Sequence, residues 1–231
     1  MIKLSKRLEM IMRLCGKSKA LADIGCDHAY LPIYALENDL AEKAYAMDLR
    51  EGPLKIAREN IIESGLQEKI EIRLSDGTDK LQPGEADCIS VSGMGGVLIC
   101  RILEVGAEVF KAADKIVLQP QSDIELVRKK LFELGFKIEE EDCVFDEGKF
   151  YMAFRAVKGE DEAYANASEA ELRFGKQLLS AKNPYLKIYL FERLAKCDSI
   201  VAEMRLNGRK LFDEPVMLEK KMIEEALSFY N

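Results

Sequence analysis

Apolar and polar positions change period along residues 20–157, and this change predicts an α/β fold. Short apolar runs of strand length alternate with longer segments of helical spacing. The predicted strands are Ala20–Ile24, Lys43–Met47, Lys69–Leu74, Asp87–Val91 and Lys115–Leu118. The predicted helices are His28–Glu37, Gly52–Ser64, Val97–Glu108 and Ser122–Leu134, the last capped by Ser122. Five strands with helical crossovers predict a doubly wound, Rossmann-like parallel sheet, which binds nucleotides at the carboxyl ends of its strands.

The alternation of strands and helices ends after the fifth strand. Phe136–Phe145 and Lys149–Val157 are strand-like runs joined by a turn too short for a crossover helix. They predict an antiparallel hairpin at one edge of the sheet. With an N-terminal helix, this domain is expected to span residues 1–158.

The remainder is predicted to be a polar linker, 159–167, followed by a helical domain, 168–231. One helix carries an apolar seam with spacings of three and four residues, formed by Leu186, Leu190, Leu194, Cys197, Val201 and Met204. Asn207-Gly208 should end that helix, and Glu214–Tyr230 should return as its antiparallel partner in a coiled-coil-like hairpin. We favour core packing over dimerisation as the role of the seam, and a monomer over an oligomer.

Composition limits the cellular location and the kinds of site that can be expected. The chain has 231 residues, 48% of them hydrophobic, and no apolar run approaching the ~20 residues that span a bilayer. No signal-peptide pattern is visible and the six cysteines form no CxxC pair, so we expect a cytoplasmic protein with reduced thiols. The single histidine excludes a multi-histidine metal site, and no metal is expected.

The net charge of −7 argues against a nucleic-acid partner, but its distribution does not. Residues 1–19 carry six basic side chains against one acidic, and residues 182–210 carry seven against three. These segments make Arg7, Arg13, Lys187 and Arg193 candidates for phosphate contacts. Solvated helix faces are the alternative explanation.

The loop after the first strand, Asp23–His28, indicates the cofactor. A dinucleotide fingerprint needs three glycines, but only Gly25 is present, and Asp27 would repel a pyrophosphate. The acids Asp23 and Asp27 suit instead the ammonium and sulfonium groups of S-adenosylmethionine. Asp48 ends the second strand, where an acid binds the ribose; a plain strand-end acid is the alternative.

Three further strand ends agree with this interpretation. Asp76-Gly77 could reach the adenine of the cofactor. In Ser92–Gly96, Gly93 and Gly95 would let backbone approach the reacting centre. Gln119 and Gln121 are expected to line the same rim with amides.

At these motifs the chain resembles the bacterial tRNA (adenine-N1)-methyltransferases that modify the adenine at position 22. The resemblance covers essentially the whole chain and rests on Asp23–Pro32, Gly52-Pro53, Ser92–Gly96 and Leu118–Pro120. It implies S-adenosylmethionine as methyl donor, tRNA as substrate and a C-terminal helical domain that helps to hold the RNA. Gln121 departs from the family, which has asparagine there.

Methylation at adenine N1 needs little acid–base chemistry, because the lone pair of N1 lies in the ring plane. Catalysis then depends on positioning and on removal of water, with the base unpaired or flipped out. Tyr30 or Met94 could pack against it, with Gln119 near its edge. Asp27 and His28 could tune the site. Alternatively, Asp27 caps the helix and His28 bonds to backbone there.

Other functions share some of these features. A methyltransferase acting on a small molecule or a protein would keep the cofactor loops without needing the basic segments. A non-catalytic RNA-binding module would keep the basic segments without binding a methyl donor. A nicotinamide-dependent oxidoreductase shares the fold class but needs the missing glycines. Cys26 is interpreted as a packing residue and not as a nucleophile.

Overall fold

The computed structural model describes residues 2–207 and 214–231. The chain divides into two compact units, Met1–Asp161 and Glu162–Asn231. This division falls inside the stretch 159–167 that was predicted to be a linker. Among the described residues, no helix is long and apolar enough to cross a membrane.

The first unit is built on one seven-stranded sheet. Its strands are β1 (Ala20–Ile24), β2 (Lys43–Asp48), β3 (Ile70–Leu74), β4 (Cys88–Met94), β5 (Lys115–Pro120), β6 (Phe136–Asp146) and β7 (Lys149–Lys158). Their spatial order is β3-β2-β1-β4-β5-β7-β6. The first five are parallel, and β7 runs antiparallel to both β5 and β6. The predicted α/β sheet with a reversed edge is confirmed.

Burial explains the apolar character of the central strands. All five residues of β1 are buried, because this strand lies between β2 and β4 in a sheet covered on both faces. The first four residues of β4 are buried for the same reason, whereas its last three reach the edge of the sheet and become accessible.

Helices of the first unit cover the two faces of this sheet. They are α1 (Lys6–Cys15), α2 (Tyr30–Glu37), α3 (Glu51–Glu63), α4 (Gly96–Val105), α5 (Ala107–Ala112) and α6 (Ile124–Glu133). Buried side chains of α1, α2 and α3 share one hydrophobic core with residues of the central strands. On β7, Ala153 belongs to that core, while its neighbour Phe154 lies on the opposite face, beside α6.

The face beneath α6 contains a completely buried ion pair. Both side chains of the pair, Arg128 of α6 and Glu141 of β6, have 0% of their surface exposed. Arg128 donates from Nε and Nη2 to Glu141 Oε1 at 3.0 and 2.6 Å. The guanidinium carbon also lies 5.0 Å from the centre of the Phe154 ring. The pair therefore links α6 to strand β6 of the hairpin.

Several predicted boundaries were wrong. The helix predicted from His28 begins at Tyr30, after Ala29 in the left-handed region (φ 60°), and no side chain caps it. Ser122 does not cap α6, whose N-cap position is Asp123 in the left-handed region, again without a side-chain cap.

Two connections also differ from the prediction. The connection from β3 to β4, residues 75–87, is fully described and contains no helix, so it is not a helical crossover. The helix predicted over Val97–Glu108 is divided into α4 and α5 at Gly106.

The second unit is helical. A short 3-10 helix, Glu162–Tyr164, precedes α7 (Glu169–Phe174), α8 (Lys176–Ser180), α9 (Pro184–Leu206) and α10 (Pro215–Ser228). The helices α9 and α10 pack together in antiparallel orientation, with Tyr230 Oη donating to the Asn183 carbonyl at one end. The predicted seam is buried except for Leu194, which is half-buried. Asn207 ends α9 as predicted, and Gly208 lies outside the described residues.

Candidate functional site

A cavity of about 700 Å³ opens at the carboxyl ends of β1 to β4 in the first unit. Parallel strands bring their following loops together at this edge, which is why residues distant in sequence meet there. The cavity is lined by eleven of the predicted site residues, namely Arg7, Asp23, Gly25, Asp27, His28, Tyr30, Asp48, Asp76, Gly77, Gly93 and Met94.

The loop after β1 turns sharply at Gly25. Its φ of +76° is a conformation that residues with a side chain rarely adopt, and an added Cβ would clash with Met94 Cε. The N–H groups of Gly25 and Cys26 both donate to the Met47 carbonyl of β2, at 2.7 and 2.9 Å. Glycine therefore brings the backbone of this loop to the cavity wall.

Asp23 is a buried carboxylate at the base of the cavity. Its Oδ1 accepts no hydrogen bond from the described residues. Burial raises the pKa of Asp23 to about 7, while the Ser90 hydroxyl and the positive charge of Arg7 act in the opposite direction. A cation entering the cavity would satisfy this carboxylate and stabilise its ionised form.

Asp48 ends β2 and is also buried, at the cavity wall. Its Oδ1 accepts from the Arg50 N–H at 2.9 Å, which fixes the orientation of the carboxylate. The next residue, Leu49, lines the cavity with 62% of its surface exposed. The oriented carboxylate of Asp48 could accept a hydrogen bond from a ribose hydroxyl, and the exposed side chain of Leu49 could pack against a flat ring attached to that ribose.

Asp27, His28 and Tyr30 form a polar cluster at the cavity mouth. The Asp27 side chain is 69% exposed, and its Oδ1 lies 3.5 Å from His28 Nε2. His28 Nδ1 lies 3.3 Å from Tyr30 Oη, within hydrogen-bonding distance. The N-cap position of α2 belongs to Ala29, so the alternative that Asp27 caps this helix is wrong.

The loop after β3 contributes Asp76 and Gly77. The carboxylate of Asp76 pairs with Arg101 of α4, and an added Cβ at Gly77 would lie 3.2 Å from Ile102 Cγ2. Asp76 is therefore an oriented acid on the cavity wall, and Gly77 leaves room for Ile102 to line it.

The glycines at the end of β4 have two different surroundings. Gly93, in the left-handed region (φ +76°), faces the cavity near Arg7 and Gln121. Gly95 does not line the cavity, and an added Cβ there would meet Ser122 Oγ at 3.3 Å. At Gly96 an added Cβ would clash with the Ser122 carbonyl. Gly95 and Gly96 therefore serve the close approach of α4 to the loop after β5.

Gln119 also lies outside the cavity lining. It is fully buried, accepts from Arg7 Nη1 at 3.2 Å, and donates from Nε2 to the Pro120 carbonyl at 3.1 Å. The prediction that Gln119 contacts the edge of a substrate base does not fit this position. Gln121, which was predicted for the same rim, does line the cavity.

Arg7 is a candidate whose side chain and backbone are both held by contacts within the protein. Its backbone N–H donates to Asp146 Oδ2 at 3.0 Å, and its guanidinium carbon lies 5.6 Å from the centre of the Tyr151 ring. These contacts and Gln119 hold the guanidinium in the cavity wall, where its charge interacts with Asp23.

The other predicted RNA contacts already have partners within the chain. Arg13 pairs with Glu140 and Asp142 of β6. In the second unit, Arg193 pairs with Glu219, and Lys187 Nζ lies 5.6 Å from the centre of the Tyr230 ring. Their contact with RNA stays a prediction.

The sequence interpretation missed part of the cavity wall. The additional lining residues include Lys3, Ser5, Leu8, Leu49, Arg50, Ser75, Leu98 and Ile102. Leu49 could have been found, because an apolar residue directly after a strand-end acid has no core to enter. The residues before and within α1 gave no such signal.

Two observations on the described ranges 2–207 and 214–231 concern metal ligands and thiols. No group of three or more His, Cys, Asp or Glu side chains there could hold a metal ion. Cys26 is buried, and burial raises its pKa well above that of a free thiol, which disfavours the nucleophilic thiolate.

Comparisons with known proteins identify the family. A methyltransferase-domain family matches residues 4–154. The tRNA (adenine(22)-N(1))-methyltransferase of Bacillus subtilis is 36% identical over 184 residues, which cover 79% of this chain and 77% of that protein. Sp1610 of Streptococcus pneumoniae, solved in complex with S-adenosyl-L-methionine, has a TM-score of 0.86 at 30% identity over 97% of this chain and 100% of its own. TrmK of M. capricolum, solved with S-adenosyl-homocysteine, has a TM-score of 0.83 at 26% identity over 99% of both chains.

These matches agree with the motifs and with the cavity at the strand ends. The chain belongs to the tRNA (adenine(22)-N(1))-methyltransferase family.

Proposed function

We propose that this protein transfers the methyl group of S-adenosylmethionine to N1 of the adenine at position 22 of tRNA. The observation that carries the proposal is the cavity at the ends of β1 to β4, lined by four aspartates and by the backbone of Gly25 and Gly93. An acidic, glycine-walled cavity fits a cationic donor without phosphates better than it fits a dinucleotide.

The residues present fit this donor at each of its ends. Asp48 would accept from the ribose hydroxyls, with Leu49 against the adenine and Asp76 near its edge. Asp23, whose Oδ1 accepts no hydrogen bond from the described residues, and the exposed Asp27 would favour the ammonium group. Arg7 would pair with the methionine carboxylate from the opposite wall. We prefer this role for Arg7 to the phosphate contact predicted from sequence, because its guanidinium is held inside the cavity beside Asp23.

The bound donor supplies an electrophilic methyl group on a positively charged sulfur. The protein positions the donor and the adenine base, and it supplies charged side chains around them. Adenine N1 attacks with a lone pair that carries no proton, so no residue has to remove one. The methylated base is itself a cation, and the carboxylates of Asp23 and Asp27 keep the surrounding potential negative as positive charge moves onto it. Tyr30 and Met94 line the wall where the base would be held, and Met94 packs against Gly25.

We propose further that the second unit helps to bind the RNA and that the protein acts in the cytoplasm as a monomer. The exposed lysines of α9, Lys187 and Lys196, support the RNA contact. The buried seam is used within the α9–α10 pair, which supports a monomer because the seam is not left for a second copy.

The test is transfer of labelled methyl from S-adenosylmethionine to unmodified tRNA, followed by nucleoside analysis. Labelled 1-methyladenosine is expected from a transcript with adenine at position 22, and none from the matched transcript with guanine there. Equal labelling of both transcripts would refute the position. Donor binding without transfer to any tRNA would refute the substrate and favour a small molecule or a protein as acceptor.

A further inference from the structure

The hairpin formed by β6 and β7 extends past the edge of the sheet at which the cavity opens. Leu118 of β5 pairs with Phe154 of β7, and the two strands are antiparallel. Because β5 ends at Pro120, two residues beyond Leu118, the first residues of β7, Lys149 to Tyr151, lie beyond the end of β5.

The hairpin tip is connected to the cavity wall through Arg7. The backbone N–H of Arg7 donates to Asp146 Oδ2 in the last residue of β6, and its guanidinium lies over Tyr151 of β7. Since Arg7 itself lines the cavity, the tip lies one side chain away from the cavity wall.

The two faces of the tip have different roles. Val144 and Tyr151 are partly buried against the hydrophobic core beside α1. Their neighbours Phe145 and Phe150 form a cross-strand pair that lies on the opposite face, with ring centres 4.7 Å apart. Phe145 keeps 38% of its surface exposed. Phe150 is half-buried. The core thus accounts for one face of the tip, and on the other face the exposed aromatic surface belongs mainly to Phe145.

The chemistry of this surface fits a nucleobase. An enzyme that methylates a Watson–Crick edge must take the base out of its stack, and this leaves neighbouring bases without partners. Exposed aromatic rings bind such bases by stacking. The tip has both signs of charge, in Asp146, Glu147 and Lys149, so it is not a phosphate-binding patch. A single ring pair is also too small for a stable protein interface, which needs about 1,000 Å² or more.

We propose that Phe145 and Phe150 form a stacking platform for an unpaired RNA base adjacent to the target adenine. The platform rests on the proposed function, because its position matters only if RNA enters the neighbouring cavity. It would hold the RNA in the opened conformation while the target base occupies the acceptor site.

The test compares Phe145→Ala and Phe145→Tyr with the wild-type chain, using unmodified tRNA as the probe. Loss of one stacked base should weaken tRNA binding by about tenfold or more in Phe145→Ala, while Phe145→Tyr stays near wild type. The dependence of affinity on salt should not change, because no phosphate contact is lost. Donor affinity should also be unchanged. Ile62→Ala, an exposed apolar side chain on α3, is the matched control and should bind tRNA normally.

A second measurement reports stacking directly. 2-Aminopurine placed at position 21 or 23 of the tRNA should be quenched on binding to wild type and to Phe145→Tyr, and less so with Phe145→Ala. Wild-type methylation with unaltered affinity and quenching in Phe145→Ala would overturn the platform and leave the proposed function intact. Loss of donor binding in that variant would overturn it as well, by showing a structural role. If the wild type neither binds nor methylates tRNA, both proposals fail.

Discussion

The charged side chains of the cavity and those of α9 were both predicted from sequence to bind a ligand, but the structure gives them different surroundings. Asp23 is buried at the cavity with an oxygen that accepts no hydrogen bond from the part of the chain that the structure describes, and Asp48 presents an oriented carboxylate there. On α9, Arg193 is neutralised by Glu219, and Lys187 lies over the Tyr230 ring. The difference teaches that a charge held beside a cavity without a partner indicates a ligand. A count of basic residues along a helix does not indicate a ligand, because those side chains can already be paired with other residues of the protein.

Among substitutions at the cavity and on α9, Asp48→Ala is expected to have the greatest effect. Loss of a charged acceptor for the ribose should weaken donor binding by about a hundredfold, since hydrogen bonds to charged groups contribute ~1.5–3 kcal/mol each. Calorimetric titration with S-adenosylmethionine measures it. The affinity for tRNA should stay unchanged, and Asp114→Ala, an exposed acid before β5, should bind the donor normally. Equal losses for donor and tRNA would contradict the ribose role.

Gly25→Ala should weaken donor binding by at least about tenfold, because φ opposes a side chain and the added methyl group would displace Met94 Cε at the cavity wall. Gly65→Ala is a matched control, with a similar φ of +69° but open space around the added Cβ. It should cost only ~1 kcal/mol of stability from its left-handed conformation. Both variants are compared by donor titration and thermal unfolding. Similar donor affinities in the two would show that the close approach at Gly25 is not used.

The pH dependence of donor binding tests Asp23. Its pKa of about 7 lies above that of a free carboxyl, so the folded protein holds an extra proton between about pH 4 and pH 7. A bound ammonium group favours the ionised form, so donor affinity should rise up to about tenfold per pH unit towards pH 7 and then level off. The free energy of unfolding should fall over the same window, by up to ~1.4 kcal/mol per unit, because the unfolded state binds fewer protons.

Asp23→Asn should remove both dependences on pH. Titrations and unfolding curves at pH 5, 6, 7 and 8 supply the data. An unchanged pH profile in Asp23→Asn would assign the titration to another group.

The smallest effects concern α9. Lys187→Gln should weaken tRNA binding about threefold and reduce the slope of affinity against salt by about one, as expected for one lost phosphate contact. Arg193→Gln should leave that slope unchanged, because its guanidinium is engaged by Glu219. Fluorescence titrations over a range of salt concentrations separate the two. A reduced slope for Arg193→Gln would show that the internal ion pair opens for RNA.

Much of the fold and the site was accessible from sequence, for a physical reason. Parallel strands place their carboxyl ends together, so Asp23, Asp48 and Gly93 could be assigned to one cavity from the order of strands alone. The reversed hairpin was equally accessible, because a short turn leaves no room for a crossover.

What could not be predicted depends on contacts between residues far apart in the chain. Gln119 is turned away from the cavity by Arg7, which lies 112 positions earlier. Gly95 faces Ser122 of another loop. The start of α2 was displaced because Ala29 adopts a left-handed conformation that no local signal in alanine indicates. Such choices are decided by tertiary packing, which a single sequence does not encode locally.

The buried pair of Arg128 and Glu141 constrains how this protein can change over evolutionary time. Replacing only one of these residues with an apolar residue removes half of a buried charge pair, a change that costs ~3–5 kcal/mol. That is a large part of the ~5–15 kcal/mol by which a domain is usually stable. An apolar pair of similar volume could be equally stable, yet every single-substitution route to it passes through a poorly folded intermediate. The two positions are therefore expected to change together or not at all.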